Sequence, residues 1–340
     1  MIKKISFFWF KSLPQILLLL FCWTILPLFL VEVLMIVLEP YLSQGLYQYD
    51  PDLGFKIRPY TNGNNQFGFN DRDYPLQKEP GKYRILVVSD SFNWAGGKEG
   101  NYTALLEKRF EQYYQNSQVE VINTGYPGTH TVEQLAMLKK YALQYHPDLV
   151  VLGFFVGNDF IDAKPNRKRI IVNDIYIDID KRKELKIFGY PIIKQSRLLL
   201  FIQQKYKVFQ EAAKAKQHSV LPSSSPYPFQ LVANTSQPEK SPGILSLETF
   251  LDTEKTRLDF CKRQDLQKRV WNDNINYILQ SIDEMNRLLK QQNIQFIVAI
   301  YPDEFQVNPN LLNQIAQTHE LNLAKYDPTC MQSILIPHLK

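Results

Sequence analysis

The chain is poor in cysteine. Three occur in 340 residues, Cys22, Cys261 and Cys330, and no two share a Cys-x-x-Cys spacing. That scarcity argues against a disulfide framework and against a metal-ligand cluster, so no metal site is expected. Glycine-rich phosphate loops are missing too: neither Gly-x-Gly-x-x-Gly nor Gly-x-x-x-x-Gly-Lys-[Ser/Thr] occurs. A flavodoxin-like cofactor or nucleotide binder is left without its loop. Nor is there a dense basic stripe. The 39 Lys and Arg are scattered among 34 Asp and Glu, for a net charge of +5, so no nucleic-acid partner is expected.

Charge is nearly absent from one stretch. Residues 15–38, QILLLLFCWTILPLFLVEVLMIVL, hold one formal charge, Glu32. As a helix this run reaches roughly 36 Å, enough to cross a hydrocarbon core of about 30 Å. Lys3, Lys4 and Lys11 precede it, and Glu39, Asp50 and Asp52 follow. The positive-inside bias therefore keeps residues 1–12 cytoplasmic and puts the bulk of the chain outside. A cleaved signal peptide competes with this reading, but its apolar core would be about 7–15 residues before a small-residue cleavage site, which is not visible. A buried core helix would need cover that nothing upstream supplies. The expectation is a single-pass anchor over residues 13–39, with the lipid bilayer as partner.

Residues 40–80 are rich in Gly, Asn, Asp and Pro and read as an extended lead-in. A domain over 81–340 follows, in which apolar runs alternate with amphipathic helices. Residues 84–90 (RILVVSD), 119–125 (VEVINTG), 148–159 (DLVVLGFFVGND) and 294–305 (IQFIVAIYPDEF) predict strands. Helices are predicted over 102–114, 132–145, 197–216 and 265–293. This pattern implies an α/β fold, a three-layer flavodoxin-like parallel sheet. Residues 166–268 interrupt it as an insertion. Within them 168–186 alternate with period two as a hairpin, and 221–246 are Ser/Pro-rich and predicted mobile.

Three strand ends carry chemistry. Ser91 leaves the first strand in VVSDSF, where a hydroxyl is exposed and a following helix would offer backbone N–H groups. Equally, Asp90 or Ser91 could simply cap that helix. NTGYPG, residues 123–128, ends the second strand. Gly125 there lets its N–H approach a ligand, although the segment is turn-like on any account. GND, residues 157–159, ends the third. Asn158 could aim its amide at a developing oxyanion or satisfy local backbone. In a parallel sheet these ends converge on one crevice, and a nucleophile with two neutral donors is an acyl-transfer layout.

These blocks resemble those of the SGNH (GDSL-type) hydrolases, over roughly residues 49–160, and the lead-in is similar to that of membrane-anchored bacterial members. The resemblance implies Ser91 as nucleophile, with an oxyanion hole made by the Ser91 N–H, the Gly125 N–H and the Asn158 side chain. It implies a serine esterase or O-acyltransferase acting on an acyl ester, of a glycan or lipid, in the periplasm without a cofactor. Ser89 stands where the family prefers glycine.

The family's base is the His of an Asp-x-x-His block. Positions three before His130, His146, His218, His319 and His338 are Pro127, Leu143, Ala215, Ala316 and Leu335, and none qualifies. Asp327-Pro-Thr-Cys330 mimics only the first half, and a thiol is no base near neutrality. The expectation is a sequence that stops before the final strand and catalytic loop, leaving residual turnover or a non-catalytic binding or scaffold protein on the same fold. His130, in GTHT, is the histidine able to lie near the crevice.

Overall fold

The computed structural model describes residues 13–42, 45–94, 96–115, 118–217, 247–265 and 273–340. The Ser/Pro-rich stretch and His218 lie outside the described residues. The chain divides into two compact units, residues 1–55 with 169–221, and residues 56–168 with 222–340. The lead-in is thus shared, 56–80 going with the α/β unit, and the insertion is shared likewise.

The α/β unit is built on β1 (Tyr83–Val88), α1 (Tyr102–Tyr114), β2 (Val119–Asn123), α2 (Thr131–Lys140), β3 (Leu149–Phe155), α3 (Leu247–Asp259), α4 (Asp273–Gln291), β4 (Gln295–Tyr301), α5 (Pro309–Thr318) and α6 (Cys330–His338). The strands form one parallel sheet in the order β4-β3-β1-β2. Ile85, Leu86, Val87 and Val88 are all buried, as expected of a strand covered on both faces. Ile85, Val87, Val119 and Val121 pack with Phe110 of α1. In α4, Ile275, Ile278, Ile282, Met285 and Leu289 are buried at helical spacing. The chain runs outward from β1 to β2 and then returns past β1 to β3. That reversal makes the carboxyl ends of β1 and β3 the switch point, where open α/β sheets place their ligands.

Beside the sheet, Leu251 and Leu258 of α3 pack with Phe305, Leu311, Ile315 and Tyr326. A disulfide joins Cys261 to Cys330, with 5.6 Å between Cα atoms across 69 residues. This corrects the reading that the cysteines are unconnected: the pair is too distant in sequence to show a spacing, and only the pairing of residues 261–262 with 326–327, where Asp327 N–H donates to the Cys261 carbonyl at 2.9 Å, brings the thiols together.

In the other unit the apolar N-terminal helix runs Leu13–Leu20, loosens into a π-type turn at Phe21–Ile25 and continues over Leu26–Leu42. Pro27 explains the loosening, since it can neither donate to the carbonyl one turn back nor sit against it without clash. Residues Pro14–Leu38 have a mean hydropathy of 2.5 and are long and apolar enough to cross a membrane. Strands Arg167–Val172 and Ile175–Asp180 form the predicted hairpin. Asn173 and Asp174 sit in its turn with φ of 47° and 62°, the left-handed pair that a tight hairpin turn requires.

Arg84 is the exception in β1. It is fully buried. Its Nε donates to Glu120 at 2.6 Å, and its guanidinium also donates to the carbonyls of Tyr145, Leu76 and Pro75 at 2.7, 3.2 and 2.8 Å. One side chain so fastens β1 to β2, to the lead-in and to the turn before β3. Arg84→Met should lower unfolding stability by about 3–5 kcal/mol, as expected when one partner of a buried pair is removed. Urea melts of Arg84→Met with Glu120→Met should recover only part of the loss, because three carbonyls stay orphaned.

Candidate active site

The crevice at the carboxyl edge is assembled from short polar segments that leave apolar strands. Ser89, in register beside Gly153, is buried and donates its Oγ to the Gly153 carbonyl at 2.9 Å. A Cβ on Gly153 would lie 2.8 Å from that Oγ and 2.5 Å from the Tyr301 hydroxyl. Ser89 is therefore accommodated by a glycine on the neighbouring strand.

Ser91 follows, half-buried, at the start of a single 3-10 turn, Ser91–Trp94. A long helix does not begin here, which corrects the reading of a helix N-terminus behind the hydroxyl. Gly96 and Gly97, with φ of 84° and 67°, redirect the backbone, and α1 starts at Tyr102 with Asn101 capping Ala104 N–H at 2.9 Å. Ser91 Oγ forms no hydrogen bond with any described residue.

Asn93 and Asn123, both fully buried, lock the neighbouring ends together. Asn93 Nδ2 donates to Asn123 Oδ1 at 3.0 Å, and Asn123 Nδ2 donates to the Asn93 and Asn70 carbonyls at 2.8 and 3.1 Å. Gly125 packs on Asn93 so closely that a Cβ would meet the Asn93 Cβ at 2.1 Å. In this structure the Gly125 N–H donates to Asn123 Oδ1 at 2.9 Å, so it must leave that acceptor before it can serve an oxyanion.

The end of β3 contributes carboxyls as well as the predicted amide. Asp159 is fully buried and accepts from Phe155 N–H at 3.0 Å. Burial first, and the Asp90 carboxylate second, hold its pKa well above the usual range. Burial likewise raises Asp90, opposed by the Phe92 N–H and by the Asn158 amide that faces it. The Asn158 side chain thus lies on the Asp90 side of the crevice, with its own Oδ1 buried and unbonded. Asp90, the residue before Ser91, faces Asn158 across the ends of β1 and β3. Gly125 sits one strand over, behind Asn93.

Sequence reasoning missed an aromatic wall and an acidic rim. Phe92 stacks on Phe155 at 4.5 Å and on Tyr301 at 5.6 Å between ring centres, and the Tyr301 and Tyr102 hydroxyls lie 2.6 Å apart. Arg257 of α3 pairs with Glu254 at 2.6 Å and lies over the Phe155 ring at 5.2 Å, while Asp303 lies 3.5 Å from the same guanidinium. Tyr301-Pro-Asp303, at the end of β4, carries the signal that could have been read: polar residues directly after an apolar strand.

Among the described residues no histidine hydrogen-bonds to Ser91. His130 is buried and forms a capping box with Glu133 at the start of α2. His319 and His338 lie beside Asp252 and Asp283, and His146 is at the opposite, amino end of β3. Cys330, in its disulfide, offers no thiol. Among the described residues no group of three or more His, Cys, Asp or Glu could hold a metal ion.

No family model matches the chain, and no curated protein matches it. Among solved structures, a lipase/acylhydrolase from Enterococcus faecalis aligns at 29% identity with a TM-score of 0.21, over 24% of this chain and 43% of that one. The match spans under half of that protein's length.

Several crevice acids favour the protonated form. Burial and the neighbouring Asp303 carboxylate push Glu254 up to about 8, against Arg257, and burial pushes Asp71, which accepts the Asn123 N–H, up to about 7. Each binds its proton more tightly folded than unfolded. Its contribution is therefore full below the ordinary carboxyl pKa and is lost as pH rises to the folded value. Thermal melts should show stability falling from pH 5 to pH 8, by on the order of 1 kcal/mol per carboxyl. Glu254→Gln, which imitates the protonated acid, should flatten that slope.

Proposed function

We propose that the chain is a membrane-anchored serine ester hydrolase or O-acyltransferase of the SGNH (GDSL-type) lineage, acting on an acyl ester outside the membrane. The observation that carries this reading is Ser91 itself. It is a half-buried hydroxyl three residues after β1, at the switch point of a parallel sheet, next to the Asp90 carboxyl that Asn158 faces. Phe92, Phe155 and Tyr301 would line the acyl side, and the crevice carboxyls the polar side. In the reaction Ser91 Oγ would attack the ester carbonyl while the Ser91 N–H, Gly125 N–H and Asn158 hold the oxyanion; the ester C–O bond would then break, the serine proton passing through water to the departing alcohol, and water or a sugar hydroxyl would take the acyl group and return a proton to Ser91.

Turnover on these residues would be weak. Among the described residues no histidine base accompanies Ser91, and sites stripped of a triad member retain about 10³–10⁴-fold catalysis over water. A non-catalytic binding protein is the second reading. It is favoured by the Gly125 N–H being held by Asn123 and by the unaccompanied hydroxyl.

The proposed placement outside the membrane draws on two features, the apolar span and the Cys261–Cys330 disulfide, a bond that persists in oxidising compartments. The orientation follows the lysines before the span.

A fluorophosphonate probe separates the two functions. Labelling of the folded protein that disappears in Ser91→Ala supports the hydrolase lineage, and absence of labelling supports the binding protein. Thiol titration of unreduced, denatured protein purified from the membrane tests the compartment. One thiol, Cys22, is expected, and three would show that the disulfide does not form in the cell.

A further inference from the structure

We propose that the helix Arg197–Gln217 lies in the membrane interface as a second lipid contact, its long axis on the bilayer surface; this rests on the reading that residues 14–38 span the membrane. The helix is sided. Arg197 and Leu200 are buried, Gln204 is half-buried, and Leu200 packs with Ile170, Val172 and Ile177. On the opposite side Leu199, Ile202, Tyr206 and Phe209 are 65, 53, 61 and 69% exposed. Their spacing of three, four and three residues makes a single stripe. At about 100° per residue it is centred roughly 180° from the buried side. Lys205 flanks the stripe on one edge, and Gln203 and Lys207 on the other. Apolar residues between snorkelling lysines are the pattern of an interfacial helix.

The depth at which this helix is held also fits. Glu32, the charge inside the apolar span, receives hydrogen bonds from Ser196 Oγ at 2.6 Å, from Leu198 N–H at 3.2 Å and from Arg197 N–H. A carboxylate at a helix N-terminus is stabilised there, which gives the charge a partner that lipid could not supply. Glu32 lies six residues before Leu38, about 9 Å along the axis from that end of the span. Interfacial helices bury their apolar side about 5–10 Å into the headgroup boundary. The start of the helix is therefore pinned at the depth where its stripe would meet acyl chains.

Full-length protein in a Cys22→Ser background, with one new cysteine carrying an environment-sensitive fluorophore, tests this in phosphatidylcholine–phosphatidylglycerol vesicles. Leu18→Cys reports on the span, and Ile202→Cys and Phe209→Cys on the stripe. Blue-shifted emission at 202 and 209, quenched by lipids brominated near the headgroup, supports the proposal. Quenching at 18 with aqueous emission at 202 and 209 overturns it and leaves the anchor standing. Absence of quenching at 18 removes the anchor reading and the proposal with it. A blue shift at 202 without lipid quenching, together with cross-linking between copies, overturns the proposal in favour of a protein partner.

Discussion

The side-chain amides of Asn93 and Asn123 set the constraint on which the crevice depends. An asparagine with no solvent access must find protein partners for its carbonyl and both N–H groups, because unpaired buried amides cost on the order of 1–3 kcal/mol. Here the two satisfy one another and the carbonyl of Asn70. That requirement fixes the 3-10 turn after Ser91 against the end of β2, brings the lead-in under both, and leaves room only for a glycine at position 125. Displacing either amide would move Ser91 and the Gly125 N–H together.

Around that lock the crevice is richer in carboxyls than in bases. Asp90, Asp159, Glu254 and Asp303 gather at the ends of β1, β3 and β4 and on α3, with Arg257 as the cation among them. Buried like charges raise one another's affinity for protons. A carboxyl kept protonated is a donor, suited to hold an ester or sugar oxygen, and a poor acceptor for the serine proton. On the proposed function, these electrostatics would favour holding an acyl ester over rapidly turning it over. Both proposed readings share this consequence.

The unit carrying the apolar span solves a different solvent problem by the same means. Glu32 is tolerated in an apolar helix because backbone N–H groups and a serine hydroxyl meet it. In the same unit Tyr47, Phe55 and Tyr176 close an aromatic cluster at 5.4–5.7 Å between ring centres, giving a small unit apolar contacts that need little chain.

What the sequence determined by itself was local or periodic. Strands read from β-branched runs, helices from 3.6-residue spacing, and the apolar N-terminal helix from 24 residues with one charge. These signals are legible because secondary structure and strand-end placement depend on neighbours in the chain. Tertiary structure alone decided the rest. Cys261 meets Cys330 across 69 residues, the Gly125 N–H goes to Asn123, Glu254 and Arg257 of the insertion reach the rim beside Asp303, and the helix after Ser91 gives way to a short turn. Each of these depends on which side chains share a buried volume, and burial is a property of the packed chain that no window of sequence contains.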